Sequence, residues 1–183
     1  MARRLLICIA ALAALTVAGC GNKQDSTNVG DTEGIYVTVD DIKYQIQISR
    51  ILNPAARDDA AYLRGLPEGE ELTKDEVWYA IFIRAENDTD DPHQMADEFT
   101  IRDTQDDEFE PVELDPAVNV FSYQARPIPP GDLLPQLDAP ASDNTIGGAL
   151  LLFKVKVTSL YNRPMELEIS GASDQTGVID IDV

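Results

Sequence analysis

An all-β antiparallel sandwich is the fold class that this sequence of 183 residues predicts. Apolar and polar side chains alternate with a period of two along several segments, which is the pattern of strands with one buried face. Clusters of Asn, Asp, Gly and Pro separate these segments and suit tight turns. Almost no stretch shows the period of a helix. Together these features predict seven to nine short strands arranged as two packed sheets.

The clearest alternation begins at residue 42, and it predicts a strand with one face in the core. The side chains predicted to point inward are Ile42, Tyr44, Ile46 and Ile48. Residues 77–85 are apolar at almost every position, which is typical of a central strand covered on both sides. Trp78 and Tyr79 are neighbours on that strand, so their side chains point to opposite faces, and we expect both to be buried.

A further long strand is predicted at residues 148–158, which begin apolar on both faces and then alternate. The side chains predicted to point inward are Leu151, Phe153, Val155 and Val157, whereas Lys154 and Lys156 point to water. Shorter strands are predicted at residues 99–102, 109–114, 165–169 and 178–183.

Residues 53–65 interrupt the strand pattern. Asn53 suits the N-cap of a helix, Pro54 suits its first position, and Gly65 follows an Ala-rich body, so one short helix is predicted here. Between residues 127 and 140, five prolines and few alternating apolar side chains predict a long loop.

The N-terminal residues 1–19 have the pattern of a bacterial export signal. Arg3 and Arg4 precede an apolar run that is too short to span a bilayer, and small residues precede Cys20. The end of this segment resembles a lipobox, which implies that Cys20 is acylated and becomes the new N-terminus after cleavage. The alternative is ordinary secretion, with cleavage at a small-residue site near Ala18 and no lipid.

Three segments follow from this interpretation: a signal peptide at 1–19, a lipidated Cys20 with a polar tether at 20–34, and a β-sandwich domain at 35–183. Loss of residues 1–19 would leave 12 basic and 33 acidic residues, a net charge of −21. A surface of that sign repels nucleic acid and anionic lipid headgroups, so we expect no nucleic-acid partner. Membrane attachment is expected through the N-terminal lipid alone.

The sequence offers few of the residues that hydrolytic or redox chemistry uses. Cys8 lies in the removed segment and Cys20 is acylated, so the domain keeps no thiol, and His93 is its single histidine. The sequence holds no nucleophile-elbow, phosphate-loop or zinc-protease motif. We therefore expect a protein that is not an enzyme and that has no cofactor.

Two patterns suggest metal binding as an alternative. His93 and Met95 offer the imidazole and thioether that suit Cu(I), although Met165 is the one further methionine ligand after residue 95. Two turns rich in acids offer oxygen ligands for Ca²⁺, provided that the turns share one end of the sandwich. Their acids are Asp88, Asp90 and Asp91 in the first turn, and Asp103, Asp106, Asp107 and Glu108 in the second. Neither turn matches a calcium-loop motif, and solvated turns explain both.

Five blocks of sequence carry a resemblance to a known family: WYAIFIRAENDT at 78–89, FTIRD at 99–103, PG at 130–131, GALLLFKV at 148–155 and ELEI at 166–169. Together they resemble the DUF4352 group (telokin-like, MPT63-like) of bacterial secreted and lipid-anchored domains. The resemblance implies an immunoglobulin-like β-sandwich over roughly residues 35–170. It implies no catalytic residues, because the group has no agreed ones.

These observations favour a membrane-anchored, extracytoplasmic lipoprotein that acts as a non-catalytic binding module, with another protein of the cell envelope as its partner. The alternative is a metal-handling envelope domain for copper or calcium. Phe121, Tyr123 and the prolines after Arg126 are the candidate apolar surface, because a proline-rich loop displays side chains without a free strand edge.

Overall fold

The computed structural model describes residues 27–143 and 146–181, and nearly all regular structure within them is β. The strands are β1 (Val29–Gly30), β2 (Tyr36–Val39), β3 (Ile42–Leu52), β4 (Glu76–Glu86), β5 (His93–Gln94), β6 (Glu98–Arg102), β7 (Glu108–Phe109), β8 (Pro127–Ile128), β9 (Leu133–Leu134), β10 (Ala149–Lys156), β11 (Met165–Ser170) and β12 (Thr176–Ile181). One α-helix, α1 (Pro140–Asp143), and two 3₁₀ turns (Asp59–Ala61 and Ser159–Tyr161) complete the described elements. The predicted all-β class is confirmed.

Two sheets face each other. Sheet A has the strand order β1-β12-β11-β6-β7, and sheet B has the order β10-β4-β3-β2, with the short β9 beside β4. All pairs in both sheets are antiparallel except β1 with β12, which is parallel. A separate pair joins β5 to β8. The architecture is therefore a sandwich of mainly antiparallel strands, as the period-two pattern predicts.

The main core fills the space between the two sheets. Sheet B contributes alternate side chains of β3, β4 and β10, including Tyr44, Tyr79 and Phe153, and sheet A contributes alternate side chains of β6, β11 and β12, including Leu167 and Ile179. The predicted inward positions Leu151, Phe153 and Val155 all lie in this core, whereas Val157 follows the end of β10 and is only half-buried.

β3 departs from the predicted alternation at Gln47. Its register with β4 shifts between Ile46 and Ile48, which is a β-bulge. An extra residue in one strand moves every later side chain to the opposite face. Ile42, Tyr44 and Ile46 are therefore in the core as predicted, but Ile48 is 37% exposed, and Ser49 takes the buried position instead.

A second apolar cluster covers the outer face of sheet B. Trp78, Phe82, Leu150 and Leu152 form its base, and side chains from the excursion at 53–75, including Tyr62, pack over them. The ring of Tyr62 makes edge-on contacts with Phe82 at 4.9 Å and with Phe121 at 5.0 Å. Sheet B is thus buried on both faces, which explains why β4 is apolar throughout and confirms that Trp78 and Tyr79 are buried on opposite sides.

The excursion itself is not the helix predicted for residues 53–65. A single 3₁₀ turn, Asp59–Ala61, lies among other turns. Its fold rests on Asp59, which is 6% exposed, pairs with the Arg50 guanidinium and accepts a 2.8 Å hydrogen bond from the N–H of Asn53. These contacts, together with the burial of Tyr62, hold the chain in turns and override its helical propensity.

The last residues of the predicted tether belong to the folded domain. Val29 and Gly30 pair with Val178 and Ile179 of β12, and the N–H of Gly34 donates to Ile46 of β3 at 3.0 Å. This segment therefore joins the edge of sheet A to the edge of sheet B. Residues 27–34, which lie before the predicted boundary at residue 35, thus pair with strands of the sandwich.

The two side edges of the sandwich differ in how they are closed. At the first edge, β1 and β12 lie against β2, and Gly177 of β12 packs so tightly that an added Cβ would lie 2.7 Å from a Val39 methyl group. At the opposite edge, β7 of sheet A lies near β10 of sheet B, and loops fill the space between them. The first edge is closed by close packing, and the second edge holds a groove.

Candidate functional site

The groove lies at the edge where β6 and β10 approach each other. Its volume is about 640 Å³, which is within the range of ligand sites in proteins. Its lining comes from four separate segments: 97–100 of sheet A, 150–152 of sheet B, and the two loop segments 110–114 and 122–125. Residues far apart in the sequence thus form one concave surface.

The floor of the groove is apolar and firmly packed. Phe99 and Leu151 belong to the main core, whereas Leu114, Leu150 and Leu152 belong to the outer cluster, so both apolar clusters lie directly beneath the groove. The Tyr123 ring contacts Phe99 edge-on, with 5.0 Å between ring centroids. The floor is therefore rigid before any ligand binds.

The outer edge of β10 is mostly occupied by the two loop segments. The N–H of Leu150 donates to Phe121 at 2.7 Å, and its carbonyl accepts from the N–H of Tyr123 at 2.8 Å. The carbonyl of Leu152 accepts from the N–H of Val112 at 2.7 Å. These bonds fix both loop segments against sheet B and define the width of the groove.

Two tyrosines, the buried Tyr44 and the partly buried Tyr123, fix the start of β6. The Tyr44 hydroxyl of sheet B accepts a 2.7 Å hydrogen bond from the N–H of Ala96, and the Tyr123 hydroxyl donates to the Ala96 carbonyl at 2.7 Å. Burial raises the pKa of Tyr44 to about 12 and the pKa of Tyr123 well above its ordinary value. Both hydroxyls therefore stay protonated near neutral pH and act as structural hydrogen-bonding groups.

Four exposed carboxylates surround the apolar floor: Asp97, Glu98, Glu110 and Glu113. Within the described chain, none of them takes part in an ion pair, and none accepts a hydrogen bond from a side chain. No lysine, arginine or histidine is among the described residues that line the groove. The groove thus combines an apolar floor with an uncompensated negative rim.

Comparisons with known proteins find similar folds. No family model and no curated protein matches this chain. The yjhA protein from Bacillus subtilis has 11% sequence identity and a TM-score of 0.47, covering 83% of this chain and 99% of that one. The ycdA protein from Bacillus subtilis, described as a "putative lipoprotein", has 13% identity and a TM-score of 0.48, covering 80% of this chain but only 38% of that one. An uncharacterised β-sandwich protein from Clostridium difficile 630 has 12% identity and a TM-score of 0.45, covering 84% and 95%. The DUF4352 likeness remains a resemblance of sequence pattern.

The copper ligands predicted at His93 and Met95 differ in their accessibility. Met95 is 1% exposed and belongs to the main core, as does Met165. His93 lies on the short strand β5 at the surface, with its Nδ1 3.9 Å from a carboxylate oxygen of Asp41. A thioether buried among core side chains is closed to a metal at the surface, so this pair does not form a copper site.

The two acidic turns lie at opposite ends of the sandwich. Lys43 pairs in register with Glu86 at the end of β4 and makes an ion pair with Asp88, while Asp90 and Asp91 are exposed beside it. Lys156 pairs in register with Glu76 at the start of β4 and contacts Asp107 at 2.8 Å. Strand β4 separates the two turns, so they do not form the joint calcium site that their composition suggested. Among the described residues, no three His, Cys, Asp or Glu side chains are grouped as metal ligands.

Cys20 and the whole predicted signal segment 1–19 lie outside the described residues. Among the described residues, no helix is both long enough and apolar enough to cross a bilayer.

Of the residues that line the groove, the sequence pattern predicted Tyr123 as part of an apolar surface, but it did not predict the other lining residues. Phe121 is partly buried and packs against the outer cluster. Pro111 was the sequence signal that could have indicated the groove. It lies among acidic residues two positions after the short strand β7, where a proline prevents the strand from continuing. The other lining segments meet only through the packing of the two sheets.

Proposed function

We propose that this protein is a membrane-anchored, extracytoplasmic lipoprotein whose β-sandwich is a non-catalytic binding module for another envelope protein, with the groove as its binding site. The observation that carries the proposal is the groove itself, which pairs a rigid apolar floor with unpaired polar groups at its rim. That combination is typical of preformed recognition sites. The lipobox-like segment ending at Cys20 supports the anchor.

The position of the groove suits such a role. Seven peptide units join Cys20 to Thr27, so a lipid on Cys20 would hold Thr27 within ~25 Å of the lipid attachment point. Thr27 and β1 lie at the closed edge of the sandwich, and the groove lies at the opposite edge. Attachment through the closed edge leaves the groove at the other edge clear of the anchor and accessible to partners in the surrounding space.

The anchor is tested by changing Cys20→Ala. We expect the variant to move from the membrane fraction to the soluble or secreted fraction, because the acyl chains are its only proposed attachment. Fractionation with immunodetection measures the shift, and limited proteolysis checks that the domain remains folded. Equal membrane retention of a folded variant would contradict lipid anchoring.

The groove is tested by site-specific photocross-linking in cells. A photoreactive amino acid at Gln124, which is exposed and lines the groove, is expected to give one discrete adduct with an envelope protein. The matched control is the same amino acid at Leu137, which is 74% exposed and lies outside the groove. Adducts of equal yield at both positions, or none at Gln124, would contradict binding at the groove.

A further inference from the structure

The backbone of β6 offers an open strand edge to the groove. In an antiparallel pair, successive residues direct their N–H and C=O groups to opposite neighbours. The N–H of Asp103 donates to Asp107 at 3.1 Å, on the β7 side of β6. By alternation, Ile101 also faces β7, where it pairs with Phe109, and Phe99 faces the same side. Glu98 and Thr100 face β11, where Thr100 pairs with Glu168.

β7 ends before it can pair with Phe99. If the register of β7 with β6 continued, Pro111 would lie opposite Phe99. Proline has no N–H to donate, and Pro111 instead forms a bridge to Phe153 of β10. Within the described chain, no hydrogen bond reaches the Phe99 backbone from this side. Phe99 is nevertheless only 3% exposed. Buried backbone groups of this kind require partners, so the groove holds hydrogen-bonding capacity that a ligand can use.

From this geometry we infer that the groove binds an extended, basic polypeptide segment, which adds to β6 as a short strand in line with β7. The inference rests on the proposed binding function and specifies its ligand. Backbone pairing at Phe99 would supply the hydrogen bonds, as in other cases of strand addition. Strand addition to β10 is disfavoured, because Leu150 already pairs with Phe121 and Tyr123, and the Leu152 carbonyl with Val112.

The charge of the rim determines the side chains of the ligand. Asp97, Glu98, Glu110 and Glu113 lie around the open edge without basic partners in the described chain. An added strand directs alternate side chains to opposite faces. One set would meet the apolar floor at Leu150 to Leu152, and the other set would meet the carboxylates at the rim. A segment that alternates lysine or arginine with valine or leucine satisfies both surfaces, whereas an acidic segment is repelled.

The charge requirement is tested with a fluorescein-labelled five-residue peptide of alternating lysine and valine, and with its glutamate–valine counterpart. Fluorescence anisotropy with the detergent-solubilised full chain is expected to show saturable binding of the basic peptide only. The rim is neutralised by the four changes Asp97→Asn, Glu98→Gln, Glu110→Gln and Glu113→Gln. Each exposed ion pair contributes only modestly, but the loss of all four together should weaken binding at least about tenfold. The control carries Asp31→Asn, Asp90→Asn, Asp138→Asn and Asp174→Asn, which remove the same charge away from the groove, and it should bind within about twofold of the wild type.

Strand addition is tested separately by peptide methylation and by hydrogen exchange. Two forms of the basic peptide are N-methylated at alternate amides, so that each form blocks backbone pairing along one edge of the peptide strand. We expect only the form methylated on the edge that faces β6 to lose binding, by about tenfold or more. Hydrogen exchange resolved to single amides should show Phe99 exchanging faster than Thr100 in the free protein and slowing at least about tenfold with saturating peptide. Unchanged exchange at Phe99, or full binding by both methylated peptides, overturns strand addition.

The outcomes separate this inference from the proposed function. If the Gln124 cross-link forms but the basic peptide does not bind, or binds the rim-neutralised variant equally well, the ligand class is wrong and the binding module stands. If no Gln124 adduct forms and the peptide does not bind, both proposals fail.

Discussion

Replacing Phe153 by alanine is expected to lower the free energy of unfolding by about 3 to 5 kcal/mol, because the change leaves a cavity between the two sheets. Phe153 is 0% exposed, pairs in register with Tyr79 of β4 and is bridged by Pro111. No neighbouring side chain is free to fill the space in a core held by two sheets. Urea unfolding of wild type and variant measures the difference, which is a large part of the stability of a domain of this size.

Tyr161→Ala provides the matched control, because it removes an aromatic ring that is 81% exposed, and we expect a change below about 0.5 kcal/mol. Lys154→Ala, at the next residue along β10, is a more informative comparison for the register of this strand. Lys154 points away from the main core, but its side chain pairs with Glu70 and lies 5.7 Å from the Trp78 ring centre, over the outer cluster. We therefore expect Lys154→Ala to cost about 1 kcal/mol and not to be silent. A Phe153→Ala cost no greater than that of Lys154→Ala would contradict the assigned register.

Asp103→Ala is expected to cost about 2 to 4 kcal/mol, because it leaves buried donors without an acceptor. Asp103 is 4% exposed, and its carboxylate accepts hydrogen bonds from the N–H of Gln105 at 2.8 Å, the N–H of Asp107 at 3.1 Å and the Asn162 side chain at 2.8 Å. These bonds shape the turn after β6 and attach it to the loop before β11. Asp90→Ala, at an exposed aspartate, is the control and should change stability by less than about 0.5 kcal/mol.

The same carboxylate gives the stability a defined dependence on pH. Burial of Asp103 raises its pKa, but the hydrogen bonds from Asn162, Gln105 and Asp107 outweigh burial, and the net pKa lies below the ordinary value. A group with a lowered folded-state pKa stabilises the fold above its unfolded pKa of ~3.9 and loses that contribution as the pH falls through the folded value. Melts between pH 7 and pH 2 should therefore show a smaller acid loss in Asp103→Asn than in the wild type. A parallel loss in both proteins would contradict this role of Asp103.

The features that the sequence predicted well depend on local side-chain periodicity. The apolar pattern of Val77 to Ala85 predicts a strand that is covered on both sides. Both faces of this strand are buried, one under sheet A and the other under the excursion at 53–75. Similarly, Leu151, Phe153 and Val155 alternate because a single strand directs them into one core. Most of the predicted strands therefore correspond to the longer strands of the two sheets. The strand predicted at 109–114 is wrong beyond Phe109, because β7 ends there and residues 110–114 form a loop.

The features that escaped prediction depend on contacts between distant segments. The bulge at Gln47 has no sequence mark, since Ile48 continues the apolar pattern although its side chain turns outward. The excursion at 53–75 has helical composition, but Arg50 and the outer cluster hold it in turns. Met95 and His93 look like paired ligands in the sequence, but the Met95 side chain is buried in the main core. The groove requires four segments to meet, which no local pattern encodes.

The parallel pairing of β1 with β12 also sets the order in which the domain can assemble. Val29 pairs with Val178, so one of the shortest strands acquires its partner only when almost the whole described chain is available. Closing a loop of that length is entropically slow, and such long-range pairing forms late in folding. A chain that passes through a translocation pore N-terminus first would therefore keep sheet A incomplete until β12 emerges. If the chain is exported as proposed above, this topology keeps the sandwich open until β12 has emerged.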